Sequence, residues 1–164
     1  MELTGPAPGS RAHELVITRE FSAPRELVYS LWTTPEHVLR WWAPNEDGES
    51  FTTPHCELDF RPGGTWRICI RSPKGRDYWS HGSYREIAPP ERLAFSFRWE
   101  MVNGQPGHDT EISVDFTALP DARTRMEFRQ TPFYDVADRD SHIGGWNGCF
   151  EKLDDYAQQL AGGQ

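Results

Sequence analysis

His142 to Leu160 reads HIGGWNGCFEKLDDYAQQL. Within it Ile143, Trp146, Phe150, Leu153, Ala157 and Leu160 recur at steps of 3, 4, 3, 4 and 3, which is one face of a helix and neither face of a strand. Gly144, Gly145 and Gly148 interrupt this run. Each interior glycine costs a helix about 1 kcal/mol relative to alanine, so these positions call for a reason the side chains are missing. On a helical wheel Gly144 and Gly148 form a small-residue stripe one turn apart, and Gly145 adjoins Trp146. Such a stripe either admits a neighbouring backbone or leaves space beside the helix. The expectation is that the glycines lie in the first two turns beside a cavity, and that Gly148→Leu reduces ligand capacity more than helix content.

Outward from this helix the chain reads as strands. Residues 51 to 131 alternate apolar and polar side chains between turn sequences at RPGG, PKGR, APPE, NGQPG and LPDA. Trp66, Ile68 and Ile70 oppose Thr65, Arg67 and Arg71; Leu93, Phe95, Phe97 and Trp99 oppose Ala94, Ser96 and Arg98. Ile112, Val114 and Phe116, and then Met126 and Phe128, continue the pattern. One wet face and one apolar face define an antiparallel meander covered on a single side. Before it, ELVITREF (14–21) is another strand, and SAPRELVYSLWTTPEHVLRWWAP (22–44) holds two short helices, about 24–32 and 35–41, with Pro24 and Pro35 in their first turns and Thr34 as an N-cap. For the long helix, Asp138 or Asp140 is the expected cap. The order is strand, two short helices, about six strands, one long helix: an α+β domain. The apolar sheet face needs a cover, and a strongly twisted sheet of about seven strands curves around the long helix.

The chain has 164 residues, 37% of them apolar and 13% aromatic, which suits one domain with a ring-rich interior. Residues 1–12 are expected to form a flexible tail and residues 13–162 the domain. A net charge of −8 and the absence of a dense Lys/Arg run argue against nucleic-acid binding. Cys56, Cys69 and Cys149 are widely spaced, which favours free thiols. With no signal-peptide-like run and no stretch of about 18 apolar residues, a cytoplasmic protein without membrane insertion is expected.

Taken together, FSAPRELVYSLWTTPEHVLRWW, RPGGTWRICIRSPKGRDYW, HGSYREIAPPERLAFSFRW and GGWNGCFEKLDDYAQQL, in this order and spacing from Ile17 to Leu160, resemble the START-like (SRPBCC, Bet v 1-like) helix-grip superfamily and, within it, the homologues of the activator of heat-shock protein 90 ATPase. The resemblance implies a helix-grip fold with a hydrophobic cavity between the sheet and the C-terminal helix, which relatives use for lipid or polyketide binding, for cyclisation chemistry or for chaperone interaction. Direct activation of the chaperone is disfavoured, because the sequence carries no counterpart of the separate N-terminal domain of the eukaryotic co-chaperones.

Given such a cavity, the apolar faces nominate its wall: Trp66, Ile68, Ile70, Phe95, Phe97, Trp99, Val114, Met126, Phe128, Trp146 and Phe150, with Trp41 and Trp42 near the entrance. The competing reading is that these side chains fill a solid core. His81, Tyr84 and Arg67 are the polar groups considered for orienting a ligand. Alternation puts His81 on the face opposite Tyr78 and Tyr84, and a bulge at Gly82 would leave open which face is inward. No catalytic residue is assigned, and no cofactor or metal: His55, Glu57 and Asp59 share a strand face that Cys56 cannot join, and G-x-S-x-G and phosphate-loop spacings are absent. His142 is read as serving a local hydrogen bond. The expected function is binding of a small hydrophobic or aromatic molecule. The alternatives are a polyketide cyclase or dehydratase-like enzyme using the same cavity, and a chaperone-interaction or stress-response module. The partners considered are a small hydrophobic molecule, a second copy of the chain and, less favoured, a chaperone.

Overall fold

The computed structural model describes residues 13–46, 48–102 and 104–162; the expected N-terminal tail lies outside them. Strand β1 (Leu15–Phe21) leads into helices α1 (Arg25–Thr33) and α2 (Pro35–Trp41). A small hairpin, β2 (Asn45–Glu46) and β3 (Glu49–Ser50), precedes the meander β4 (Thr52–Leu58), β5 (Thr65–Arg71), β6 (Asp77–Ala88), β7 (Arg92–Trp99), β8 (Thr110–Leu119) and β9 (Arg123–Thr131). Helix α3 (Val136–Gly162) closes the domain.

Seven strands form one open antiparallel sheet in the order β1-β9-β8-β7-β6-β5-β4. Every neighbouring pair except β1-β9 is consecutive in the chain, joined where the turn sequences predict. β1 reaches β9 in full register from Leu15↔Gln130 to Phe21↔Thr124, which places the first strand at one edge. The alternation also sorts the faces correctly: Ile112, Val114, Phe116, Met126 and Phe128 are buried.

The helices cover the inner face unequally. α1 lies over β8 and β9, α2 against β4, and α3 along β1 and against both short helices. Pro35 occupies the first turn of α2, where its missing N–H costs nothing, and the Thr34 carbonyl accepts the amides of His37 and Val38. The Thr34 hydroxyl makes no capping bond. α3 starts earlier than expected. Asp135, and neither Asp138 nor Asp140, is the cap: its Oδ1 accepts the Asp138 amide at 2.8 Å, while Asp138 Oδ2 accepts the Tyr134 amide at 3.2 Å.

Tryptophans knit the centre. Trp32 meets Trp41 edge-on at 4.6 Å between ring centroids, and Phe128, Phe116 and Phe150 at 6.2, 6.5 and 6.0 Å. The Trp41 indole N–H donates to the Leu31 carbonyl at 2.8 Å. Trp41 is fully buried and belongs to this core, away from the entrance expected for it. Among Trp32, Trp66, Ile68, Tyr84 and Phe95 the remaining space is only about 10 Å3, room for about one water molecule. The middle of the domain is therefore solid.

A cleft at one end of the grip

Where the short helices end, the sheet continues. Ile70 at the end of β5, Tyr78 at the start of β6, Phe97 and Trp99 at the end of β7, Thr110 at the start of β8 and Gln130 near the end of β9 form a row across the inner face. The first half of α3 faces this row with His142, Gly145, Trp146 and Cys149. Between them lies an open cleft of about 600 Å3, bounded by Pro44 and Phe51 on one side and by Met101, Val102 and Pro106 of the β7–β8 loop on the other. A volume in the range of about 300–1,000 Å3, walled by rings with a few polar groups, is that of a small-molecule site.

Ile70, Phe97, Trp99 and Trp146 of the nominated wall line this cleft, as does Trp42. Trp66, Ile68, Tyr84 and Phe95 border the small central void instead, and Val114, Met126, Phe128 and Phe150 are fully buried in the core, as is Trp41. His81 and Arg67 lie on the outer face of the sheet. His81 Nδ1 lies 3.0 Å from Glu100 Oε2, and Arg67 holds the same carboxylate with two bonds of 2.7 and 2.9 Å while stacking at 3.9 Å over Trp79. The hydrogen-bonded Arg67 keeps the Glu100 carboxyl below its ordinary range. Gly82 stays in register with Trp66, and the irregularity falls later, between Tyr84 and Glu86, so it does not turn His81 inward. A Cβ at Gly82 would sit 1.8 Å from the Ser96 carbonyl oxygen; glycine serves close packing there. Of the nominated carboxylates near His55, Glu57 contacts its Nε2 at 2.9 Å, whereas Asp59 is bonded to Arg61.

The polar groups of the cleft come from elsewhere. Trp146 donates its indole N–H to Gln130 Oε1 at 2.8 Å, Gln130 donates to Thr110 Oγ1 at 2.9 Å, and Thr110 donates to the Phe97 carbonyl at 2.9 Å. This chain satisfies a fully buried glutamine and fixes the Trp146 ring as a floor. Beside it the Trp99 indole N–H donates to His142 Nε2 at 3.0 Å. An indole nitrogen can only donate, so Nε2 carries a lone pair and the imidazole proton sits on Nδ1, which donates to the Asp138 carbonyl at 2.8 Å. His142 is thus a neutral bridge between β7 and α3. The local hydrogen bond expected of His142 is the one to the Asp138 carbonyl, four residues back, whereas its second partner lies in β7, far back along the chain and out of reach of sequence periodicity. Burial pushes the Cys149 thiol up to about 12, so it stays protonated at neutral pH.

The three glycines of α3 divide by surroundings. Gly148 is buried against the β2 segment, where an added Cβ would lie 2.7 Å from the Asn45 amide nitrogen and 3.2 Å from its carbonyl oxygen. It is a packing glycine, contrary to the expectation that it borders the cavity. Gly145 lines the cleft, and a Cβ there meets nothing within 4 Å. Gly144 is exposed, with nothing within 4 Å.

A seven-stranded antiparallel sheet gripping a long C-terminal helix, with a cleft between them, is the helix-grip architecture of SRPBCC-like proteins. The family described as activator of Hsp90 ATPase homolog 1-like protein matches residues 22–158, and the chain belongs to it. The AHSA1 protein of Silicibacter pomeroyi superposes with a TM-score of 0.77 at 22% identity, covering 92% of this chain and 99% of that one. A protein of Chromobacterium violaceum gives 0.75 at 22%, covering 87% and 96%, and one of Rhizobium leguminosarum gives 0.74 at 25%, covering 89% and 94%. No curated protein matches the chain. Among the described residues no helix is long and apolar enough to cross a membrane.

Proposed function

We propose that this protein binds a small hydrophobic or aromatic molecule in the cleft between the ends of β5–β9 and the first half of α3. The observation that carries the reading is Gly145: a helix position that gives up about 1 kcal/mol relative to alanine, where an added Cβ would meet nothing beyond the adjoining helix within 4 Å, and which opens on about 600 Å3 of ring-walled space. No neighbour requires glycine for packing there, and the missing side chain leaves the cleft open beside the helix. Trp42, Phe97, Trp99 and Trp146 supply rigid apolar contact area, and burial of ligand surface against them contributes roughly 25 cal/mol per Å2.

A cyclase-like enzyme would need a polar pair able to move a proton inside the cleft. One pair on the cleft wall is His142 and Asp138, whose Nδ1 and Oδ1 are 3.6 Å apart. That distance exceeds a hydrogen bond, the Nδ1 proton is given to the Asp138 carbonyl, and the Nε2 lone pair is occupied by Trp99. Ligand binding is accordingly the better-supported reading.

Titration with N-phenyl-1-naphthylamine, whose emission rises in apolar surroundings, tests it. The wild-type protein is expected to show saturable enhancement. Gly145→Phe, which projects a ring into the cleft, is expected to weaken binding at least tenfold with helical circular dichroism unchanged. Equal binding by both proteins places the dye elsewhere and removes the proposal.

A further inference from the structure

The cleft has a charge polarity that specifies its ligand further, an inference resting on the binding reading above. Acidic residues outnumber basic ones 25 to 17 in this chain, and most described arginines are paired accordingly. Arg61, Arg67, Arg71, Arg85, Arg92, Arg98, Arg123, Arg125, Arg129 and Arg139 each contact a carboxylate. Arg76 lines the cleft and, among the described residues, has no carboxylate partner. It is the cleft's cationic side chain, carried on a turn whose backbone is locally bonded. Its amide donates to Ser72 Oγ at 3.1 Å, its carbonyl accepts the Ser72 amide at 2.8 Å, and its guanidinium lies 5.2 Å from the centroid of the Tyr78 ring.

The cleft's carboxylate lies at the other end. Asp138, at the start of α3, accepts the Tyr134 amide and sits beside the β9 side of the cleft. A ligand anion is therefore attracted at the β5–β6 hairpin and repelled at the β9–α3 connection. Between these poles the lining is largely apolar or internally hydrogen-bonded. Tyr78 on β6 and Gln130 on β9 are separated by three strand spacings, about 14 Å, roughly the extended length of a twelve-carbon chain. We propose that the cleft takes an elongated amphipathic acid, a medium-length hydrocarbon chain lying across β6–β9 with its carboxylate on Arg76. Guanidinium is suited to this role because its planar fork matches a carboxylate with two parallel bonds.

Dodecanoate and dodecanol, compared by isothermal titration below their aggregation limits, separate the parts of this account. The acid is expected to bind the wild-type protein about fivefold to tenfold more tightly than the alcohol, the modest factor of a charge-assisted bond at a solvent-exposed rim. Arg76→Gln is expected to bring the acid to the alcohol's level and leave the alcohol unchanged, while Arg76→Lys keeps part of the preference. Raising salt from 50 to about 500 mM should weaken the acid alone. Equal binding of acid and alcohol, or an acid preference that survives Arg76→Gln, overturns the anion assignment and leaves the apolar cleft standing. Binding of neither overturns both.

Discussion

Replacing Trp32 by alanine is expected to destabilise the domain by about 3–5 kcal/mol, the range for removing a large ring from a packed interior. Trp32 is the meeting point of α1 with the rest of the core, touching Trp41 and Trp42 from α2 and its end, Phe95, Phe116 and Phe128 from the sheet, and Phe150 from α3. Its loss leaves a void bordered by elements that cannot all move inward together, so little of the cavity term is recovered by collapse. Urea denaturation followed by circular dichroism checks the value. Trp32→Phe should cost much less, since the Trp32 indole N–H is buried with no acceptor among the described groups. Trp41→Phe, by contrast, strips the Leu31 carbonyl of its donor. A Trp32→Ala loss below about 1 kcal/mol would mean that the central ring cluster is not what holds the helices to the sheet.

Gly148→Leu is expected to destabilise by about 2–3 kcal/mol, toward the upper end of the cost of overpacking, because the atoms it meets are backbone and cannot rotate away. At a few degrees per kcal/mol for a domain of this size, the melting temperature should fall by roughly 5–10 °C. Gly145→Ala should move it the other way by about 2–3 °C, since the new methyl meets nothing and helix propensity improves by about 1 kcal/mol. Scanning calorimetry on the two variants reads both signs. Destabilisation of similar size at both positions would contradict the division between a packing glycine and a cleft glycine.

The contrast between these glycines shows how far the sequence carries. Period 3.6 in HIGGWNGCFEKLDDYAQQL and period 2 from Trp66 to Phe128 identify the elements and their inward faces, because both signals are local. Which part of an inward face is core and which is cleft depends on where α1 and α2 stop, and that is a long-range fact. Trp66, Phe95 and Phe128 look the same in the sequence as Phe97 and Trp99. The first three lie under the helices, and the last two project past them. Gly145 and Gly148 carry the same propensity penalty, and only the approach of Asn45 to one of them tells packing from open space. Arg76 reads as an ordinary turn arginine in SPKGR until the pairing of its neighbours leaves it alone beside the cleft. Asp135 as cap was obscured by Asp138 and Asp140 close behind it, each equally suited by residue type.

The seven tryptophans give the account its most direct test. Trp42, Trp99 and Trp146 line the cleft, whereas Trp41 lies in the core and Trp79 stacks under Arg67 on the outer face. Each indole N–H gives its own signal in a proton–nitrogen correlation spectrum, assignable by single Trp→Phe substitutions. On titration with dodecanoate, the indole signals of Trp99 and Trp146 are predicted to shift progressively and saturate together, with Trp41 and Trp79 stationary. Shifts confined to Trp79, or no indole shift at saturating ligand, would contradict a binding site in the cleft.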